Sequence, residues 1–365
     1  MISVQSPELI LNRETCLANI RRMAEKASVN GLTFRPHFKT HQSLTIGRWF
    51  RDCGVTAITV SSIKMAGYFA GDGWRDITIA IPVNRLQIRK INSLASRIDL
   101  NIDVISTDTL QFLAANLTSP VGAFIEIDNG YNRTGLDPND SDAIEDMISL
   151  MSATELLRFR GFLSHAGNTY GAGSLSRIGA IHSSTVRMLA ELKAKYSSPC
   201  HDITVSIGDT PSCSLLEDFR GVDEIRPGNF VFYDIMQEQI GSCSFRDIAV
   251  ALAVPVLAMH PQRNEIVVEG GAIHLSKEFI TDGEGRTIYG YPVHFTDNGW
   301  TVPDRASYVR SLTQEHGVVK ASGEFFNSVN VGDIIGILPV HSCLTAHQMR
   351  RYVTPDGELI STMNS

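Results

Sequence analysis

At 365 residues, 43% of them hydrophobic and 19% charged, the chain can bury a sizeable core and is too apolar for disorder. A formal net charge of -7, with Lys and Arg scattered rather than clustered, excludes a nucleic-acid surface and a polybasic membrane anchor. No apolar run approaches the roughly 20 residues of a membrane span, and Met1 to Asn12 lack the basic-then-apolar pattern of an export signal.

The first two-thirds alternate short β-branched runs with amphipathic stretches. Strands are predicted at Gly31 to Pro36, Thr56 to Val60, Ile77 to Ile81, Ile98 to Ile105, Val121 to Asp128, Phe159 to Leu163, Ile203 to Ile207 and Phe230 to Tyr233. The clearest helix runs from Leu175 to Lys195, with Ile178, Ile181, Met188, Leu189 and Leu192 on one face. Such alternation implies parallel strands with crossover helices, and about eight repeats imply a (β/α)8 TIM-type barrel. After Cys243 the texture changes to strands at Val250 to Leu257, Glu265 to Glu269 and Val331 to Leu338. Turns are expected at Pro261-Gln262 and Asp282-Gly283, and a hairpin at Asn298-Gly299. The expected division is a barrel over residues 1–242, whose N-terminal segment is a candidate to join the second domain, and a mainly antiparallel β domain over 243–365.

The six cysteines (Cys16, Cys53, Cys200, Cys213, Cys243, Cys343) are widely spread and form no Cys-x-x-Cys pair. A disulfide framework is therefore not expected; a cytoplasmic enzyme with reduced thiols is.

Chemistry-bearing residues cluster at predicted strand ends, where parallel barrels place their active sites. Arg35-Pro36-His37-Phe38-Lys39-Thr40-His41 closes the first barrel strand, and its cationic neighbours can lower the pKa of Lys39, as an imine-forming amine requires. Taken alone, Lys39 reads equally as a solvated lysine in a polar loop. Asp128 to Gly135 forms a tight loop in which Arg133 offers a forked donor to an oxyanion. Ser164 to Tyr170 also follows a strand. Ser206-Ile207-Gly208-Asp209-Thr210 passes from strand through glycine to a helix start that suits a phosphate, and Arg226-Pro227-Gly228-Asn229 can complete the cradle. Each of these is, by itself, compatible with an ordinary turn. Near the C-terminus, His341-x-Cys343 supplies two ligands suited to Zn²⁺ in an open site; in an extended segment they point to one side.

In this order and context the motifs resemble the D-threonine aldolase and D-serine dehydratase family, whose fold is like that of alanine racemase (fold type III of the pyridoxal-phosphate enzymes). The resemblance spans almost the whole chain, from Pro36 to Cys343. It implies that Lys39 holds pyridoxal phosphate as a Schiff base, that Arg133 approaches the cofactor's phenolic oxygen, and that Tyr170 lies near the pyridine nitrogen. It further implies that Thr210, Gly228 and Asn229 hold the phosphate, that His165 is a candidate acid or base, and that His341 and Cys343 bind a divalent metal, zinc. A small D-amino acid is the implied substrate and a homodimer the implied assembly. Asp209 departs from the pattern, which has a small neutral residue there; an acid beside a phosphate is costly unless it turns outward.

With these parts, β-elimination from D-serine or a D-3-hydroxyaspartate-like substrate gives a keto acid and ammonia. Retro-aldol cleavage of a D-threonine-like substrate gives glycine and an aldehyde. A cysteine ligand resembles the dehydratase branch, so elimination is expected first, cleavage second, and racemisation or a non-catalytic cofactor-binding role third.

Overall fold

A computed structural model describes residues 4–197 and 202–365, so Cys200 lies outside the described residues. The chain starts with strand β1 (Glu8–Leu11) and helix α1 (Arg13–Val29). There follow β2 (Thr33–Phe34), α2 (Leu44–Asp52), β3 (Ala57–Val60), α3 (Ile63–Gly71), β4 (Asp76–Pro82), α4 (Ile88–Ala95) and β5 (Asp99–Val104). Next come α5 (Thr107–Asn116), β6 (Val121–Glu126), α6 (Ser141–Ser152), β7 (Leu157–Ser164), α7 (Leu175–Tyr196), β8 (Thr204–Ile207), α8 (Thr210–Leu215) and β9 (Glu224–Ile225). Helices begin where a short polar side chain caps them: Ser62, Ser106, Asp140 and Ser174 accept from backbone amides of the first turn of α3, α5, α6 and α7.

Two units divide the chain: residues 22–39 with 47–228, and residues 1–21 with 40–46 and 229–365. In the first unit the strands are parallel in the order β2-β9-β8-β7-β6-β5-β4-β3. Just past the end of β2, His37 pairs with Thr59 of β3, which draws the sheet into a TIM-like near-barrel. Ile178, Leu189 and Leu192 of α7 are buried, while Ile181 and Met188 of the expected face are half-buried. One expected strand is displaced. The last barrel strand is Glu224–Ile225, two residues with a charge and no apolar run, and Asn229–Val231 form a 3-10 turn. Phe230 to Tyr233 are buried and apolar because the turn packs inside, not because it pairs.

The second unit contains α9 (Ile235–Ile240), β10 (Val250–His260), β11 (Glu265–Glu269), α10 (Ala272–Leu275), β12 (Ile280–Thr281), β13 (Thr287–Ile288) and β14 (Gly290–Val293). It continues through β15 (Phe295–Thr296), β16 (Gly299–Trp300), β17 (Tyr308–Leu312), β18 (His316–Lys320), α11 (Gly323–Asn327), β19 (Ile334–Pro339), α12 (Ser342–Met349), β20 (Arg351–Val353) and β21 (Leu359–Ser361). Its main sheet runs β17-β18-β11-β10-β1-β20-β21, with β19 joining β10 to β14. All pairings are antiparallel except β1 with β20. The N-terminal strand is therefore a central member of this sheet, its Leu9, Ile10 and Leu11 fully buried against β10. The hairpin at Asn298-Gly299 joins β15 to β16. Among the described residues no helix is long and apolar enough to cross a membrane.

Candidate active site

The Lys39 loop is fixed by the residue before it. Phe38 is fully buried among Phe50, Phe69 and Trp74, with ring centroids 5.0, 4.9 and 5.2 Å away. Burying one phenyl ring stabilises by roughly 2–3 kcal/mol, so the wedge anchors the turn and leaves Lys39 exposed beyond it. The Lys39 amide donates to His37 Nδ1 at 3.3 Å. Burial, and then the charges of Lys39, Arg226, His165 and Arg133, hold His37 well below the usual histidine range. These five side chains thus share one electrostatic neighbourhood at the C-terminal ends of the strands.

His165 follows β7 and bonds the Gly208 carbonyl through Nδ1. A carbonyl only accepts, so Nδ1 carries the proton and Nε2 is bare. Burial is the main reason that its pKa falls to about 3, with Lys39, Arg133 and Arg226 adding to the effect. The imidazole is neutral across the physiological range: it can accept a proton at Nε2, weakly, and has none to donate there.

Arg133 extends from the loop after β6. That loop is pinned by Asp128, whose carboxylate accepts the amides of Gly130 and Asn132, each at 3.0 Å. Gly135 has φ +104°, and a Cβ there would lie 2.6 Å from the Asp128 amide nitrogen, so glycine is required. The half-exposed Arg133 guanidinium stands 4.0 Å from Glu126. Glu126 in turn meets Asp103 on the neighbouring strand; burial first, then Glu126, push the Asp103 carboxyl well up, so it keeps a proton.

At the end of β8, Gly208 lets the chain approach β9 closely: a Cβ would sit 2.8 Å from the Arg226 backbone. Asp209 caps α8, accepting from Ser212 N at 2.7 Å and Thr169 Oγ1 at 2.9 Å, and is buried. It does not turn to solvent; the cap occupies it instead. Thr210 Oγ1 is buried with no partner, and the Thr210 amide reaches the Tyr170 hydroxyl at 3.4 Å. Beneath these groups runs a polar barrel core. Arg35 bonds Glu224 and Asp76, Ser206 donates to Glu224, and Arg226 donates to Ser206 Oγ at 2.6 Å and the Ser164 carbonyl at 2.9 Å. Gly228 is buried.

In the second unit His341 and Cys343 meet, though not on an extended strand. His341 is the residue before α12 and Cys343 lies in its first turn. Burial alone would raise the Cys343 thiol, but His341, with a hydrogen bond from Thr40, outweighs it and lowers the pKa. Thr40 Oγ1 lies 3.2 Å from the sulfur. Burial would lower His341, yet Cys343 and Asp234 outweigh it and raise it. Each of the two thus favours the charged form of the other. Asn229, the first residue of the 3-10 turn, turns its side-chain amide to Asp234, Ser342 and Cys343 at 2.6, 3.3 and 3.6 Å.

Residues 11–235 match the model of the alanine racemase N-terminal domain. The chain belongs to that family. Residues 249–354 match a second model, "Putative serine dehydratase domain". D-serine dehydratase of Dictyostelium discoideum is 28% identical, over 94% of this chain and 92% of that protein. D-threo-3-hydroxyaspartate dehydratase of Delftia sp. (strain HT23) is 27% identical, over 98% of this chain and 97% of that protein. A solved structure of a D-threo-3-hydroxyaspartate dehydratase variant in a metal-free form superposes with a TM-score of 0.89 at 25% identity, covering 100% of this chain and 98% of that one.

Two residues of these neighbourhoods escape sequence reasoning, Asp103 and Asp234, and two differ from their expected part: His37, expected as a cationic neighbour of Lys39, is held neutral by burial, and Arg226, expected in the phosphate cradle, bonds Ser206 and the Ser164 carbonyl. Asp103 carried no clear signal, since Asp99 and Asn101 alternate with it along the same strand. Asp234 carried none, because a buried capping aspartate reads like any surface cap.

Proposed function

We propose that the protein is a pyridoxal-phosphate- and metal-dependent lyase that eliminates water from a small β-hydroxy D-amino acid, D-serine or a D-3-hydroxyaspartate-like substrate. The observation that carries this reading is that His341 and Cys343 come together at the start of α12, with Thr40 Oγ1 3.2 Å from the sulfur. A thiol beside an imidazole is a ready donor pair for zinc, with positions left for water or substrate. The relative solved in a metal-free form is consistent with a metal in such enzymes.

The barrel residues fit the cofactor. The orphaned Thr210 hydroxyl at the start of α8 is a buried donor left for a ligand oxygen. Lys39 would carry the cofactor, Arg133 and Tyr170 would bind its ring substituents, and Thr210, Gly228 and Asn229 its phosphate. When bound, the cofactor withdraws electrons from the substrate's Cα, and the metal supplies a Lewis acid. Lys39 Nζ, exposed at the strand ends, takes the Cα proton. The Cβ–O bond would then break, the hydroxyl leaving as water with the proton that Lys39 had taken, and the released enamine would tautomerise to the imine, whose hydrolysis gives the keto acid and ammonia.

Retro-aldol cleavage is the second reading, because His165 Nε2 is a bare acceptor for a hydroxyl proton. A pKa of about 3 makes it a feeble one, which ranks cleavage below elimination. The reading carries a cytoplasmic homodimer with it: the free thiols of Cys16, Cys213, Cys243 and Cys343 suit a reducing compartment, and the dimer rests on the family resemblance. The test is to assay keto acid, aldehyde and L-enantiomer side by side from D-serine and D-threonine. Keto acid and ammonia from D-serine are expected; aldehyde from D-threonine alone would promote cleavage, and L-enantiomer alone a racemase.

A further inference from the structure

We infer that Asp234 is the positioning residue of the metal pair: its carboxylate fixes the His341 ring with Nδ1 inward, leaving Nε2 for the metal, and fixes the start of α12 that carries Cys343. This rests on the metal reading above. Asp234 is fully buried. Its Oδ2 accepts Ser342 N at 3.0 Å, Ser342 Oγ at 3.3 Å and Asn229 Nδ2 at 2.6 Å, while Oδ1 caps α9 by accepting Gln237 N at 3.0 Å. All of these donors are neutral. His341 Nδ1 is buried without a hydrogen bond, and Asp234 Oδ2 stands 3.6 Å from it.

One oxygen therefore addresses three consecutive concerns of the site. Through the Ser342 amide it sets the backbone between the two ligands. Through Asn229 it sets the amide that lies 3.6 Å from the Cys343 sulfur. As the acceptor 3.6 Å from His341 Nδ1, it turns that nitrogen inward and leaves the other nitrogen for a cation. Tyr233, at φ +47°, occupies the left-handed region that bulky residues avoid, so the backbone accepts local strain immediately before Asp234.

The experiment strips the cofactor-loaded enzyme with a chelator and adds Co²⁺ alone, following the thiolate-to-cobalt absorption. Asp234→Asn is expected to weaken Co²⁺ about 10- to 100-fold, the usual effect of losing such a partner, with the Lys39-bound cofactor's absorption unchanged. Ser342→Ala removes a hydroxyl from the same oxygen but keeps the charge, and is expected to weaken Co²⁺ far less. Equal Co²⁺ affinity in Asp234→Asn and wild type, or equal loss in both variants, overturns the inference. Should Asp234→Asn not fold, nitrogen NMR of the Zn²⁺-loaded wild type decides: the proton on His341 Nδ1 and the metal on Nε2 support the inference, and the reverse overturns it. If His341→Ala binds Co²⁺ as tightly as wild type, the metal reading itself is at fault and the inference falls with it.

Discussion

Lys39, Arg133, His165 and Thr210 each follow a different barrel strand, whereas His341 and Cys343 lie two residues apart at the start of one helix. The barrel set is held from below, by the Arg35–Glu224–Ser206–Arg226 chain and by anchors such as Phe38. His341 and the start of α12 are held by the carboxylate of Asp234. A constellation spread over a closed sheet inherits its precision from the whole fold. A local pair inherits it from one or two contacts, so it can change character without the fold changing.

Substitutions in the barrel should therefore separate into chemistry and scaffold. Lys39→Ala has the largest expected effect on turnover, a loss of at least about 10²- to 10⁴-fold, the contribution of one positioned acid–base group. An exposed lysine outside the core should cost the fold no more than about 0.5 kcal/mol, so thermal unfolding should be near wild type. Reduction with borohydride should fix the cofactor on the Lys39 peptide of the wild type; label on another lysine would undo the barrel assignment. Phe38→Ala is the converse case. Emptying the aromatic box should destabilise by about 3–5 kcal/mol, read from denaturant unfolding, and loosen the Lys39 turn while sparing every reactive group.

Acid should strain both units. His41, fully buried, and His165, half-buried, one in each, are held neutral with pKa values near 3 against an ordinary 6.5, loss of solvent being the main cause. The unfolded chain binds their protons first, so their contribution to stability is complete above about pH 6.5 and is lost as pH falls towards 3. The slope is about 1.4 kcal/mol per pH unit for each proton. Asp103 works in the opposite sense and only in the barrel: its raised pKa means the folded state keeps a proton that the unfolded chain releases, which costs stability as pH rises above the ordinary carboxylate range. His41→Gln should flatten the acid limb of an unfolding-versus-pH curve; an unchanged slope would show that the ring is not held neutral.

The smallest effect on stability, and the most specific on chemistry, is expected of Cys343→Asp. It keeps an anionic ligand and replaces sulfur with oxygen. If ligand type steers the reaction, the product ratio should move from keto acid towards aldehyde, read in one assay with D-serine and D-threonine. An unchanged ratio would mean that the barrel alone selects the bond.

Much of the barrel was legible because its strands are buried on both faces and so read as apolar runs: Ala57–Val60, Val121–Glu126 and Thr204–Ile207 stand close to their expected bounds. Glu224–Ile225 was not, since two residues with one charge carry no periodicity, and the apolar Phe230 to Tyr233 imitated the missing strand. The second unit was legible at its long strands, β10 and β11, but β20 and β21 are three residues each, too short to show a period. His341 and Cys343 were picked out by residue type, and they do come together, but with a different local geometry: proximity comes from a helix start, not from an extended register. Asp234 stayed hidden because its partners, at Asn229, His341 and Ser342, are up to 113 residues apart from one another, a relation that no sequence window contains.

The division of labour between the units is tested most directly by removing the metal from the cofactor-loaded enzyme with a chelator. The visible absorption of the Lys39-bound cofactor should persist, because the barrel residues that hold it need no metal. Keto acid formation from D-serine should vanish and return on adding Zn²⁺. Full keto acid formation by the metal-free enzyme would contradict the account and leave His341 and Cys343 without a role in the reaction.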